Sequence, residues 1–305
     1  MGHSPRRSLS RGKRKRPEVR VGAPDRALTP NGGMAAVAGL CERLGVIGAL
    51  DAAVGPVKQR DRGFGAGELL AGIAVAQLAG EDFLVGLDRQ RADAAGQQIT
   101  PVPGLSSTTA AGVARRITAA QWLAVETGLA AVTERTMTLL PAARAAALTE
   151  GPVTIDLDAT GVEVYGSKKR GVAYNYQGQR TGRPHVAAWA ETEIVLAADL
   201  GSGTNDPRAT GPDLLRRALA ALPERARARG RVAPRADAGY FAGALARAGE
   251  DEHIAFAIGA RRIARCGGCW TASARRAGAT RPAWTMPRSP WRPTARTGGP
   301  PPHGC

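Results

Sequence analysis

Val153-Thr-Ile-Asp-Leu-Asp-Ala-Thr160 decides how the rest of this 305-residue chain reads. Val153, Ile155 and Leu157 alternate with Thr154, Asp156 and Asp158, the period-two pattern of a half-buried strand that puts both aspartates on one face. Further along, Arg235-Ala-Asp-Ala-Gly-Tyr-Phe241 repeats the theme. Val232 leads through Ala233 and Pro234 to Asp237, and Gly239 lets the backbone turn towards a helix. If the two strands lie side by side, two acidic groups converge. Carboxylate oxygens are the hard ligands that magnesium and manganese prefer, and two ions held by carboxylates suit in-line attack on a phosphodiester.

The surrounding texture supplies a fold. After Gly151-Pro152, strands are predicted at 153–158, 161–165, 186–190 and 194–200, then a helix at 209–222, the second acidic strand, a helix at 241–248 and a strand at 254–258. Three antiparallel strands followed by helix, strand, helix and strand is the order of a ribonuclease H-like fold, whose first and fourth strands are central neighbours. That order predicts Asp158 beside Asp237. Residues 31–150 read as helical instead. Apolar residues recur at helical spacing over 34–54 (Val37, Leu40, Leu44, Ile47, Leu50) and 67–87 (Leu69, Leu70, Ile73, Leu78). Ser106-Ser-Thr-Thr109 can cap a short helix carrying Arg115 and Arg116, and another amphipathic stretch runs over 119–140. A helix-turn-helix around 104–136 would put Arg115 and Arg116 on DNA phosphates, although any antiparallel helix pair with a polar turn gives this pattern. The expected class is α/β: a ribonuclease H-like mixed sheet, incomplete at its C-terminal end, preceded by an all-α N-terminal domain.

A formal net charge of +16 suggests a polyanionic partner, but the charge sits at the two ends. Residues 1–30 hold nine Lys/Arg against Glu18 and Asp25, and 265–305 hold seven Arg and no acid, leaving 26 bases and 24 acids for 31–264. Bulk charge is therefore weak evidence for DNA binding by the body, and 1–30 reads as a disordered basic arm. No apolar run reaches the length of a membrane span and no apolar segment follows the first basic residues, so no membrane association and a cytoplasmic location are expected. Cys41 stands alone in a helical pattern and the other cysteines are Cys266, Cys269 and Cys305, which is no disulfide framework. A zinc site from Cys266, Cys269, His303 and Cys305 is the rival reading of that tail, resting on a lone C-x-x-C.

Three segments taken in order resemble the DDE transposases of bacterial insertion sequences, most closely the insertion-sequence thirteen-eighty group. They are Ile155-Asp-Leu-Asp-Ala-Thr160, Gly166-Ser-Lys-Lys-Arg-Gly-Val-Ala-Tyr-Asn-Tyr-Gln-Gly-Gln-Arg-Thr-Gly-Arg-Pro-His185 and Arg235-Ala-Asp-Ala-Gly-Tyr-Phe241. The resemblance covers about residues 30–264. It implies metal-dependent DNA strand cleavage and strand transfer during transposition, with Asp158 and Asp237 as the first and second catalytic acids. Two ions of Mg2+ or Mn2+ would serve them, one activating water or a DNA 3′-hydroxyl and the other stabilising the leaving oxygen. Asp156, on the same strand face, is the alternative first acid; the family's motif puts the acid directly before a small residue and Thr, which favours Asp158. The implied partner is DNA at the terminal inverted repeats of the element, bound by a homodimer, with nucleoid association when bound. The 166–185 loop adds Lys168, Lys169, Arg170, Arg180 and Arg183 with Tyr174, Asn175 and Tyr176 interleaved: cations for phosphates and rings for a splayed base, or else a solvated hairpin. His185 reads as a structural hydrogen-bonder, because imidazole is not a preferred magnesium ligand.

The chain departs from the family in its last part. A DDE site needs a third carboxylate, a Glu on a late helix, yet no Asp or Glu follows Glu252. Residues 265–305 also lack Leu, Ile, Val, Phe and Tyr while holding three of the five Trp, so they cannot fill a core. The expectation is an incomplete transposase domain over 151–264 followed by an out-of-frame tail, catalytically inactive. A non-catalytic DNA-binding protein, or an inhibitor of an intact transposase, is the alternative. The nucleotide sequence across codon 264 tests the tail: the neighbouring frame is expected to continue as an amphipathic segment reaching a Glu. Early stop codons in that frame would end the idea.

Overall fold

β1 (Val153–Ala159) occupies the centre of a mixed sheet in the computed structural model, which describes residues 25–58, 62–166, 168–227 and 230–260. The expectations for 1–24 and for 261–305, the zinc alternative included, lie outside the described residues. Val153, Ile155 and Leu157 are buried while Asp158 is exposed, as the alternation requires. On one side β1 pairs antiparallel with β4 (Arg180–Trp189), Ile155 opposite Trp189 and Asp158 opposite Val186. On the other it pairs parallel with β6 (Val232–Ala236), Val153 opposite Val232 and Leu157 opposite Ala236. β5 (Ile194–Ser202) adds antiparallel to β4, and β7 (Ala257–Ile258) adds parallel to β6. Short strands β2 (Val162–Glu163) and β3 (Ala173–Tyr174) pair with the start of β4. The opening strand and the second acidic strand are thus neighbours, as the element order predicted.

Several boundaries moved. β4 begins at Arg180, six residues before the predicted strand at 186, because Arg180-Thr-Gly-Arg-Pro-His185 has no apolar alternation to announce it and is held by ladders to β2, β3 and β5. The strands predicted at 161–165 and 254–258 shrink to β2 and β7. A helix (Pro207–Ala221) follows β5, started by the Asp206 side chain accepting from the Arg208 amide at 3.0 Å and by Pro207 at its first position. Its Leu214, Leu215 and Ala218 are fully buried against Ile155, Trp189 and Tyr240 in the larger core. Each such aliphatic side chain contributes roughly 1.5–3 kcal/mol over leaving it exposed.

The helices of residues 34–149 are α1 (Met34–Leu44), α2 (Val46–Val54), α3 (Ala66–Leu78), α4 (Gly86–Ala92), α5 (Ser107–Ala114), α6 (Ala119–Leu139) and α7 (Ala142–Thr149), so the helix after β5 is α8 and Gly243–Asp251 is α9. The single helix predicted over 34–54 is two. Gly45 adopts φ 59°, the left-handed conformation that ends α1, and Arg135 donates to the freed carbonyls of Leu44 and Gly45 at 2.7 and 3.1 Å. The helix predicted over 67–87 stops at Leu78, and Phe83 and Val85 are exposed in the connection to α4. Ser106 caps α5 as its sequence suggested, and Thr118 caps α6 with Gln121 in a reciprocal box that the sequence reading did not single out. α9 starts two residues later than the helix predicted at 241, after a 3-10 turn over Ala238–Tyr240.

The helical segment is tied to the sheet by charge. Arg217 of α8 reaches Glu126 of α6 at 2.5 Å, Asp199 of β5 at 2.6 Å and Asp213 at 2.8 Å, and Glu126 also accepts from the Ala198 amide at 3.0 Å. The described residues up to Ala260 form one compact unit. No described helix is long and apolar enough to cross a membrane. Arg217 and Glu126 are each 17 % exposed, so removing Glu126 takes one of three carboxylates from a largely desolvated guanidinium and leaves the Ala198 amide without its acceptor. Glu126→Ala is expected to lower the urea midpoint by the equivalent of about 2–4 kcal/mol, and Glu126→Gln, which still accepts from Ala198, by less. An unchanged midpoint in Glu126→Ala would refute the coupling.

Candidate active site

Parallel pairing of β1 and β6 ends at Leu157 opposite Ala236, so Asp158 and Asp237 emerge together at the C-terminal ends of two adjacent strands. Each carboxylate is fixed locally. One Asp158 oxygen accepts from the Thr160 hydroxyl at 3.0 Å, and Asp237 caps the following 3-10 turn by accepting from the Gly239 amide at 2.8 Å. Neither acid is in an ion pair among the described residues. Asp156 differs, because Arg235, its partner across the ladder, grips it with Nε and with Nη2, the latter at 2.6 Å. The fork takes both carboxylate oxygens.

Tyr240 holds the two strand ends in relation. It is fully buried, and its hydroxyl donates to the Asp158 backbone carbonyl at 3.0 Å, where the ladder to β6 has already ended. Burial, followed by the negative charge of Asp158 and Asp237, raises the phenol's pKa, so Tyr240 stays a donor. His185 packs edge-on to this ring at 6.2 Å, with Nδ1 2.9 Å from the Thr210 hydroxyl. Burial lowers its pKa and keeps the imidazole neutral. Its Nε2 is buried without a partner among the described residues.

The acids open into a cleft of about 1060 Å³. Asp156, Asp158, Arg235 and Asp237 line its floor, and Phe241, Ala242, Ala246, Phe256 and Ile258 give it apolar walls. Two carboxylates without cationic partners are hard oxygen donors of the kind Mg2+ and Mn2+ take, so the residues present fit a divalent ion. Among the described residues no group of three or more Asp, Glu, His or Cys side chains is arranged to hold a metal.

The basic segment lies elsewhere. None of its residues lines the cleft. It folds as a hairpin whose turn is built by Asn175, the side chain accepting from the amides of Gln177 at 3.0 Å and Gln179 at 2.9 Å, with Gly178 at φ 74°. Tyr176 at the tip is 95 % exposed and Tyr174 is 68 % exposed. Lys168, Lys169 and Arg170 are exposed, whereas Arg180 and Arg183 belong to β4 rather than to a loop. Arg180 donates to the carbonyls of Gly166 and Lys169, the latter at 2.7 Å, and Arg183 to that of Asn205 at 3.0 Å. Arg115 and Arg116 are exposed at the end of α5. The first turn of α6 exposes Ala119, Ala120 and Leu123, while Gln121 is occupied by its cap and by the carbonyls of Val54 and Pro56, each at 3.2 Å.

Sequence reasoning missed the Arg235–Asp156 pair and the Tyr240 contact. The first follows from register: Arg235 and Asp156 each precede an acid by two residues, so parallel pairing of the acids' strands sets them opposite each other.

Residues 11–277 match the family described as Transposase DDE domain group 1. The match takes in 11–30 and 265–277, which the sequence reading had set outside the folded body. No curated protein matches the chain. Among solved structures, a Mos1 transposase paired-end complex with the left transposon end aligns at 11 % identity over 73 % of this chain and 75 % of that one. Its TM-score of 0.26 is too low for the superposition to carry an argument. The family match spans most of the sequence and includes both acidic strands, and the chain belongs to the transposase DDE domain family.

Proposed function

We propose that this chain is the transposase of an insertion sequence of the thirteen-eighty group, with a ribonuclease H-like sheet and with Asp158 and Asp237 as its catalytic acids. The observation that carries the reading is the convergence of these two carboxylates, free of ion pairs, at the ends of adjacent parallel strands in one cleft. Asp156 is set aside as the first acid because it lies one side-chain repeat back along β1, opposite Arg235 rather than beside Asp237. Asp158 and Asp237 would hold Mg2+ or Mn2+, which supplies a lowered pKa for an attacking hydroxyl and charge neutralisation at the leaving oxygen. Tyr240 keeps the Asp158 backbone at a fixed height above β6, and the Gly239 amide orients Asp237. The apolar wall of Phe241, Phe256 and Ile258 limits water at the reacting phosphodiester.

DNA, at the terminal inverted repeats of the element, is the proposed substrate, engaged by a homodimer. Lys168, Lys169 and Arg170 contact phosphates beside Tyr174 and Tyr176 in this reading. Arg180 and Arg183 brace the hairpin through carbonyl contacts and add charge, Asn175 shapes its turn, and Arg115 with Arg116 gives a second basic point. The proposed location is the cytoplasm, on the nucleoid when DNA is bound. In this reading the copy is catalytically inactive, because no further acid among the described residues completes the pair. That same observation favours the second reading, a DNA-binding protein that inhibits an intact transposase.

Mn2+ binding followed by electron paramagnetic resonance on the full chain separates the acids. Asp158→Asn with Asp237→Asn is expected to abolish binding while Asp156→Asn retains it; binding lost in Asp156→Asn alone would reverse the assignment. In manganese the chain is expected to give no strand transfer, and transfer abolished by Asp158→Ala would overturn the inactivity. For the hairpin, alanine at Lys168, Lys169 and Arg170 together should weaken DNA binding and reduce its log–log salt slope by about three. Tyr176→Ala should lower single-strand affinity about tenfold without altering that slope. An unchanged slope in the triple variant removes the hairpin from the interface.

A further inference from the structure

The cleft has a charge problem that its acids alone cannot solve. Asp156, Asp158 and Asp237 all line it, and a phosphodiester entering such a floor meets three negative charges. A divalent ion between Asp158 and Asp237 answers this at one level of the sheet only. Arg235 and Asp156 sit one side-chain repeat back along the same two strands, about 7 Å away, on the same face. Arg235 is the one basic residue among the described residues lining the cleft, and its side chain is 62 % exposed.

We propose that Arg235 is a phosphate-binding residue of the substrate cleft, taking the phosphodiester next to the one held at Asp158 and Asp237, and that Asp156 occupies the guanidinium until DNA displaces it. The inference rests on the reading of Asp158 and Asp237 as the reacting level. Three observations support it. The guanidinium fork already binds a two-oxygen anion through Nε and Nη2, and a phosphate presents the same pair of acceptors. The pair is open to solvent, with Asp156 34 % exposed, so the carboxylate is weakly held and easily exchanged. The distance between the two levels is comparable to that between successive phosphates on one strand, so a strand running along β1 and β6 would meet the acids and the arginine with consecutive linkages.

The test is a double-mutant cycle on the full chain, using anisotropy of a labelled single-stranded oligonucleotide across a salt series, in calcium to prevent cleavage. Arg235→Ala is expected to weaken binding about tenfold and to reduce the salt slope by about one. Asp156→Asn, close in shape, is expected to tighten binding several-fold by freeing the guanidinium, and to have no effect when Arg235→Ala is already present. Arg235→Lys, which keeps charge without the fork, should fall between wild type and Arg235→Ala. If Asp156→Asn tightens binding equally in both backgrounds, the effect is bulk charge and the proposal fails. If Asp156→Asn weakens binding, the pair is structural and the proposal fails. Asp158→Asn with Asp237→Asn, run alongside, should remove the calcium dependence of affinity; its persistence would sink the acid-pair reading, while the coupling of Arg235 to Asp156 is decided by its own cycle.

Discussion

The parallel ladder between β1 and β6 is the constraint on which everything else at the site depends. Its hydrogen bonds pair Val153 with Val232 and end at Leu157 with Ala236, and that ending presents Asp158 and Asp237 side by side. A slip of one residue would turn every β1 side chain to the opposite face, burying the aspartates and exposing Ile155 and Leu157. The cost of stripping water from two carboxylates makes that slip prohibitive, so hydrophobic patterning and acid placement enforce each other. Tyr240 adds a contact one residue past that ladder, its hydroxyl donating to the Asp158 carbonyl at 3.0 Å.

The ladder needs a firm base. Trp189, Ile155, Leu214 and Leu215 are fully buried beneath it, joined by Tyr240 from the site side, so the residue that bridges the strand ends is also part of the core. Gly211 on α8 is part of the same design: a Cβ there would sit 3.0 Å from the Tyr240 ring, and the bare backbone lets helix and ring pack closely. α6 covers the β5 edge of the sheet through Glu126, which meets both Arg217 of α8 and the Ala198 amide. The helical segment therefore braces the sheet that carries the two acids.

Much of this was legible in the chain because β1 obeys a strict period of two and the helices after it a period near 3.6. The central neighbours followed from element order alone. Legibility failed where local pattern and tertiary pairing disagree. The first half of β4 carries Arg180, Gly182, Arg183 and Pro184, none of them strand-formers, and is extended only because strands flank it. The break at Gly45 hid inside an unbroken apolar periodicity, since a single left-handed glycine shifts the helix axis without disturbing the spacing of Leu44 and Ile47. At the site, residue types announced the acids and the motif favoured Asp158, whereas the pairing of Asp156 with Arg235 is a fact of the β1–β6 register that no short motif encodes.

The same register limits what can complete the site. Asp156 is a third carboxylate in the cleft, and releasing it from Arg235 superficially offers the missing acid. Geometry argues against this. Ligands of one Mg2+ lie about 2.1 Å from it, so two of its carboxylates cannot be much more than 4 Å apart at their bound oxygens, whereas side chains two residues apart on a strand leave the backbone about 7 Å apart and parallel. Asp156 would have to lean along the strand past Leu157 to join an ion at Asp158 and Asp237, giving up the bidentate partner that offsets its charge. A third ligand for that ion is better supplied from above the strand ends, where the cleft opens between Asp158, Asp237 and the Phe241 and Phe256 wall. In the proposed reading, an acid reaching that opening from outside the sheet satisfies the distance, and an acid within the sheet does not.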